Sequence, residues 1–580
     1  MKSIDPFNED SRRRRSELLT CFAVALIVFT FALGRRDIVT SHEGRVAQTA
    51  RTMADSGWPW NARPVHVSGF VESNESQRLA PAQLPGDRDT VNPWLFPVIN
   101  DAIRLQKPPL PYWVTAVVFK LFGVSEFNAR IVPALLGALS TLLIWDLALL
   151  ILGHRAAIPA AIVWITTQFV VDEFRKSMAD PYLAFFTLLA LWGWWRCERG
   201  RNILAWIALS LGALAKGPVI FIHIIPAIIC AKIFLRRRTG SASWISHAIG
   251  ALLFIAIVLP WPALVLREAP DAWRMWWYES GGEVSGQNIE KARPWWTYLA
   301  SSFQLALPWT PVWIAGMVLA VMRSKRRFWA PRNRRRLFAL SWYVIVLAFF
   351  SLVSVKKDAY LLPLMPAQTL IIADALITMR AAWARRRANY QMSIVLAAAQ
   401  CAIGIGFGIG LFLAIYSSKT RDAMGLAICA AGVLMAVYAI RSIVNGKPNS
   451  WLLTQAAAYA LLLIGLIGFH ASAKDNARSP KRFAAAMAQY LRTTDVPLLV
   501  SRLPEEASFY LPLGLRDDPN ASRVLIVVDK SRKDPPVDAR RLSDLLNGAI
   551  IRGFQRVDLN VDDGGDRYQF FDVIVDRDRA

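Results

Sequence analysis

Long apolar stretches separated by short polar turns recur from Leu18 to Phe469. A helix needs roughly 20 apolar residues to cross a bilayer. On that rule the pattern predicts spans near 17–34, 130–152, 156–172, 181–195, 202–215, 218–235, 245–266, 298–322, 337–353, 360–379, 391–415, 423–441 and 450–469. The expected fold is mainly α, a polytopic membrane protein of about thirteen transmembrane helices. The least certain division is Lys216-Gly217-Pro218, which splits one apolar run into two short ones.

Three regions break the pattern. Residues 35–126 form a long first loop. Within it Gly44–Ser56 places Val46, Ala50 and Met53 on one helical face and Arg45, Gln48 and Arg51 on others, which predicts an amphipathic helix lying on the membrane surface. Pro108–Phe122 predicts a second interfacial helix, opened by prolines in its first turn. The Pro-, Gly- and Asn-rich stretch between them is expected to be irregular. Residues 267–297 form a second loop, heavy in tryptophan. Residues 470–580 predict a small soluble α/β domain: a helix at Lys481–Leu491 and strands at Pro497–Ser501, Arg523–Asp529 and Phe570–Asp576. The expected units are therefore a membrane domain, 1–469, and a C-terminal domain, 470–580.

Charge sets an orientation. Arg12–Arg15 precede the first stretch, and basic clusters return at every second connection: Arg196, Arg199 and Arg201; Arg236–Arg238; Arg323–Arg336; Arg380 with Arg385–Arg387. This is the positive-inside bias. It predicts a multi-pass protein of the cell (inner) membrane with a cytoplasmic N-terminus and an extracytoplasmic C-terminal domain. The net charge of +24 does not indicate nucleic acid, because the cations sit in short turns beside apolar helices, where anionic headgroups meet them. Residues 18–33 are followed by Gly34-Arg35-Arg36 rather than a small-residue cleavage site, so they are expected to be a retained span. The five cysteines (Cys21, Cys197, Cys230, Cys401 and Cys429) lie in or beside apolar segments without metal-ligand spacing.

This topology gathers a set of polar residues on the outer face: Ser41-His42-Glu43-Gly44-Arg45, Gln106-Lys107, Asp172, Glu173, Arg175, Lys176 and Asp180, Lys216, Tyr278-Glu279 and Glu283, and Lys356-Lys357-Asp358-Ala359-Tyr360. Carboxylates and lysines within a turn or two of a membrane suit an enzyme acting on a lipid-linked anionic substrate. Lysines hold phosphate as point charges, and a carboxylate activates or orients a nucleophile. Each residue also has a plainer reading. Glu43 and Arg45 solvate a helix start, Asp180 caps one, Lys107 is a surface lysine, and Lys356 and Lys357 anchor headgroups. Trp273, Trp276, Trp277, Trp295 and Trp296 are first an interfacial belt and second a sugar-stacking platform.

Taken in order, the motifs carry a resemblance: His42-Glu43-Gly44-Arg45, Lys107–Trp113, Ser125–Arg130, Asp180, Leu214–Pro218, Leu259–Trp261, Leu307–Trp309 and Ser354–Pro366. Across roughly 17–370 the chain resembles the bacterial aminoarabinose (ArnT-like) transferase and dolichyl-phosphate-mannose protein mannosyltransferase-like family, membrane glycosyltransferases of the GT-C fold. The resemblance implies a polyprenyl-phosphate sugar donor, an inverting transfer and an extracytoplasmic site. Two positions depart from the family pattern. His42 stands where its paired acids begin, and Gln106 stands where it has a glutamate.

The reading that results is a glycosyltransferase (hexosyl- or pentosyltransferase) that moves a monosaccharide from a polyprenyl-phosphate donor to a lipid, protein or glycan acceptor. Glu43 and Asp180 are the expected catalytic acids, with Glu43 as base for a hydroxyl acceptor. Lys107, Lys357 and Tyr360 are expected to hold the donor phosphate. His42, Arg45, Lys216 and Glu279 are secondary candidates. No cofactor is assigned, and a divalent metal is left open. The alternatives are a lipid-pyrophosphate glycan ligase or polymerase, and a non-enzymatic transporter or flippase. A transporter predicts ionisable residues in mid-span and repeated halves with broken helices, whereas the charges here cluster at span mouths.

Overall fold

The computed structural model describes residues 6–67, 69–70, 90–100, 102–196, 201–235, 244–277, 293–326, 328, 330–386, 390–418, 421–476, 479–493, 499–501, 505–511, 523–529, 538–539, 542, 550–557 and 568–576. Its helices are α1 (Pro6–Thr30), α2 (Ser41–Ser56), α3 (Leu110–Phe122), α4 (Glu126–Leu152), α5 (His154–Thr166), α6 (Gln168–Phe174), α7 (Ala179–Trp195), α8 (Arg201–Lys216), α9 (Val219–Leu235) and α10 (Trp244–Val258). They continue with α11 (Pro260–Glu268), α12 (Ala272–Trp277), α13 (Thr297–Leu305), α14 (Thr310–Arg326), α15 (Pro331–Leu352), α16 (Met365–Ala384), α17 (Tyr390–Tyr416), α18 (Ala423–Val444) and α19 (Pro448–Gly465).

Every expected apolar stretch is helical. By length and composition, eight helices among the described residues can cross a membrane, or ten if each of two bent pairs is one span. Thirteen crossings are reached only if α7, α8 and α9, at 17, 16 and 17 residues, cross as well. Outward-facing Leu252 on α10, Leu413 on α17 and Leu434 on α18 are exposed. Such apolar faces suit lipid, which makes no hydrogen bonds.

Two expected straight spans are broken instead. The 156–172 stretch bends by 63° between α5 and α6, and the 298–322 stretch by 117° between α13 and α14. Pro308 and Pro311 flank the second break, and proline has no N–H to continue the helical ladder. The two breaks meet. Gln168 donates its backbone N–H to the Leu307 carbonyl at 3.0 Å, and the Trp309 indole donates to the Thr166 hydroxyl at 2.9 Å. Backbone groups freed at membrane depth must find such internal partners. The sequence rule counts apolar residues and cannot see a bend whose loose ends are satisfied by another element.

The expected amphipathic helix forms, and its apolar face is enclosed by protein. On α2, Val46, Ala47, Ala50 and Met53 pack with Tyr112, Ala116 and Phe119 of α3 and with Phe509 of the tail. Its polar face is occupied too: Arg51 donates to the carbonyls of Phe509 and Leu511 at 2.7 and 2.6 Å. Tyr510 accepts the Ile38 N–H at 2.8 Å. The tail therefore closes over the first loop.

The loop contributes short strands: β1 (Val65–His66), β2 (Gly69–Phe70), β3 (Thr90–Val91), β4 (Val98–Ile99) and β5 (Ala102–Ile103). The tail holds β6 (Leu499–Ser501), β7 (Arg523–Asp529), β8 (Ile550–Val557) and β9 (Tyr568–Asp576), in the order β6-β7-β9-β8. Among the described residues of this tail sheet, β6 and β7 pair in parallel and the other pairs are antiparallel. Its α-helix runs Lys481–Thr493. The sequence pattern did not predict β8, where Arg552 and Gly553 interrupt the apolar run and the register shifts between Ile551 and Gly553.

Candidate active site

The site begins where α1 ends. Thr40 accepts the Glu43 N–H and caps α2, so His42 and Glu43 occupy its first turn. Glu43 is 1% exposed. Arg130, in the first turns of α4, grips both its oxygens at 2.8 and 3.0 Å, and the Ser177 N–H adds a bond at 3.0 Å. Burial alone would raise the Glu43 carboxyl. The Arg130 guanidinium, with Arg36 and the Ser177 amide, outweighs burial and holds it below the usual carboxylate range. Arg130 also donates to the carbonyls of Leu33, Arg36 and Asp37. One side chain thus ties the end of α1, the start of α2 and the start of α4 together. It was visible in the sequence only as the last residue of a motif. The usable signal was an arginine inside an apolar helix, which needs partners.

Two residues collected from the 172–180 connection turn out to be structural. Arg175 donates to the carbonyls of Val28, Phe29 and Phe31 at 3.0, 2.9 and 2.8 Å, closing the C-terminus of α1. Lys176 pairs with Asp172 and Glu173 at 2.6 and 2.5 Å. Arg36 bridges Asp172 and Asp475.

Asp180 lies in the first turn of α7 but does not cap it; the N-cap is Met178. Its carboxylate is paired with Lys216, the last residue of α8. Gly217 then takes φ +81°, a left-handed conformation suited to glycine, and Pro218 ends the turn. The Lys216 Nζ sits 4.4 Å from the centroid of the Tyr360 ring. Tyr360 lies in a 3-10 turn, Asp358–Leu364.

The lysine pair resolves into two roles. Lys356 is buried and donates to the carbonyls of Arg293 and Val353 at 2.9 and 2.6 Å, closing the end of α15. Lys357 is exposed, and its backbone is fixed at both ends by the Tyr298 hydroxyl, at 2.8 and 2.9 Å.

His42 marks the electrostatic centre. Desolvation, then the charges of Lys357, Arg45 and Arg104, push its imidazole down to about 4, with Asp180 acting the other way. Burial first, and the nearby cations second, favour the neutral imidazole. Glu279 lies outside the described residues, as do Tyr278 and Glu283.

Lys107, Gln106, Lys216 and Tyr360 line a cavity of about 720 Å³ whose remaining walls are mainly apolar, among them Leu183, Phe254 and Phe350. Two tryptophans brace it. Trp276 donates to the Leu105 carbonyl at 2.9 Å, two residues before Lys107, and Trp261 donates to that of Leu95 at 3.0 Å, ahead of β4. Trp273, Trp277, Trp295 and Trp296 are exposed. Among the described residues no three His, Cys, Asp or Glu side chains converge as a metal-ligand set.

The fold and this cavity mark a class. A sequence model described as Dolichyl-phosphate-mannose-protein mannosyltransferase matches residues 106–263. The crystal structure of ArnT from Cupriavidus metallidurans bound to undecaprenyl phosphate superposes with a TM-score of 0.67 at 19% identity, over 96% of this chain and 97% of that one. The fold is that of the ArnT structure. Within that class the chain is similar to undecaprenyl phosphate-alpha-4-amino-4-deoxy-L-arabinose arabinosyl transferase 1 of Pseudomonas fluorescens, 29% identical over 52% of this chain and 55% of that protein. The counterpart from Pseudomonas savastanoi pv. phaseolicola is 31% identical over 49% and 53%. The chain spans about half the length of the curated relatives it matches.

Proposed function

We propose that this chain is a glycosyltransferase that takes a monosaccharide from an undecaprenyl-phosphate-type donor and passes it, with inversion, to an acceptor at the extracytoplasmic face. The observation that carries this reading is a cavity whose wall includes Lys107, Lys216 and Tyr360 and is otherwise mainly apolar. A prenyl phosphate likewise joins a charged group to an apolar chain. The ArnT structure with undecaprenyl phosphate and the names of the curated relatives support the donor class. Those names make 4-amino-4-deoxy-arabinose the first sugar to test.

In the proposed step an acceptor oxygen attacks the anomeric carbon and the bond to the donor phosphate breaks, leaving its electron pair on phosphate oxygen. Lys107 and Lys357 stabilise that developing charge, and the Tyr360 hydroxyl supplies a further donor. Glu43 was expected to be the base. With both oxygens committed to Arg130, it acts instead as an anchor for the start of α2. Asp180, steadied by Lys216, is the carboxylate that takes or orients the proton of a hydroxyl acceptor. A phosphate acceptor needs no base. Residues 1–469 form the membrane unit, with a cytoplasmic N-terminus, and 470–580 the extracytoplasmic domain.

The test is release of undecaprenyl phosphate when purified chain meets an undecaprenyl-phosphate sugar and membrane acceptors. Lys107→Ala and Lys357→Ala should each cost roughly 1.5–3 kcal/mol of transition-state binding, about tenfold to a hundredfold in kcat/KM. Wild-type kinetics in both variants would remove the phosphate clamp.

A further inference from the structure

We propose that His223 is the interior polar contact of the cavity, and that it hydrogen-bonds a hydroxyl or amino substituent on the donor's sugar. The inference rests on the donor reading above. His223 lies on α9, whose sequence is otherwise almost wholly apolar (VIFIHIIPAIICAKIFL). The side chain is 1% exposed and lines the cavity. Neither Nδ1 nor Nε2 has a hydrogen-bond partner among the described residues. Buried polar atoms left unpaired are uncommon and costly. A histidine kept only for packing would be expected to find a carbonyl or hydroxyl.

The ring is also held in one orientation. It stacks on Phe350 with centroids 5.0 Å apart and planes at 26°. Phe350 in turn contacts Tyr360, centroids 6.2 Å apart, and Lys216 sits over Tyr360. An unbroken line of side chains therefore runs from the cationic part of the cavity to the imidazole. His223 is four residues into α9, about 6 Å along the axis from its start beside Gly217 and Pro218. A phosphate held by the lysines can thus direct its sugar toward His223.

The chemistry selects the sugar over the lipid chain. A neutral imidazole offers one donor and one acceptor. A hydroxyl matches both, an amino group can match the acceptor, and an isoprenoid matches neither. A prenyl tail at this end would leave both nitrogens unpaired, so the tail is assigned to another part of the apolar wall.

The experiment compares binding of undecaprenyl phosphate, undecaprenyl-phosphate aminoarabinose and undecaprenyl-phosphate glucose to the detergent-solubilised full chain. Wild type should bind at least one sugar-bearing lipid about tenfold more tightly than the bare lipid, the worth of one buried hydrogen bond. His223→Phe should erase that preference and leave bare-lipid affinity unchanged, and His223→Gln should restore part of it. Should His223→Phe fail to fold, His223→Met takes its place in the same comparison. Equal weakening of all three lipids, or a preference that survives the substitution, overturns the assignment. Wild type that binds all three equally overturns it as well, while the donor reading stands. Wild type that binds none overturns the donor reading, and this inference falls with it.

Discussion

Arg130 holds Glu43 through both carboxylate oxygens, at 2.8 and 3.0 Å, across 87 residues of sequence. Both side chains are almost fully buried. The pair joins α4, a long helix of the bundle core, to the helix that carries His42. Removing one partner of a buried pair leaves an uncompensated charge, which costs about 3–5 kcal/mol.

Arg130→Met should therefore lower the thermal stability of the solubilised chain sharply, and Glu43→Gln less, because an amide keeps part of the hydrogen bonding. The double variant should lose much less than the sum of the two, as expected for groups in direct contact. Turnover measured on folded Glu43→Gln separates anchor from base. An anchor predicts activity that falls with stability. A loss of about 10²–10⁴-fold at unchanged melting temperature would return Glu43 to the role of proton acceptor.

Asp180 and Lys216 should behave as one unit. Asp180→Asn should depress turnover and weaken the placement of Lys216, and Lys216→Met should do the same in reverse. If both act on one transition state, the double variant should be no slower than the worse single variant. Additive losses in kcat would show that the two residues serve separate steps.

The neutral state of His42 has a pH signature. Its folded value, about 4, lies below its ordinary 6.5. Between those values the unfolded chain binds more protons than the folded one, so this group makes stability fall as pH drops from 6.5 toward 4 and contributes no slope above that window. Glu43, also depressed, acts in the same direction at lower pH, since its contribution is lost as it protonates. His42→Gln should flatten the melting-temperature profile between pH 6.5 and 4. A profile identical to wild type would show that burial and the neighbouring cations do not depress the imidazole.

The orientation is open to direct measurement. Alkaline phosphatase fused after Asp529 should be active in a bacterial host, and a fusion near Arg334 should be inactive. The reverse pattern would put the cavity on the cytoplasmic side and remove the proposed donor geometry.

The helices were legible in the chain, since each apolar stretch long enough to bury its own backbone hydrogen bonds became one. The sequence also picked out the elements that bear the candidate site: the α2 start, the Lys107 segment, the Asp180 turn, Lys216-Gly217-Pro218 and the 356–360 run. Local pattern suffices there because helix formation, capping and chain breaking are decided within a few residues. Roles were decided only in three dimensions. Lys356 and Lys357 are adjacent and chemically identical, yet one is buried and caps α15 while the other is exposed, with its backbone held by Tyr298. Glu43 and Asp180 looked like a matched pair of acids until Arg130 and Lys216 took them separately. The bends at Thr166 and Pro308 and the enclosure of α2 by the tail were equally hidden. Each depends on a partner tens to hundreds of residues away, and the charge state and reach of a side chain are set by whatever packs against it, which no local window contains.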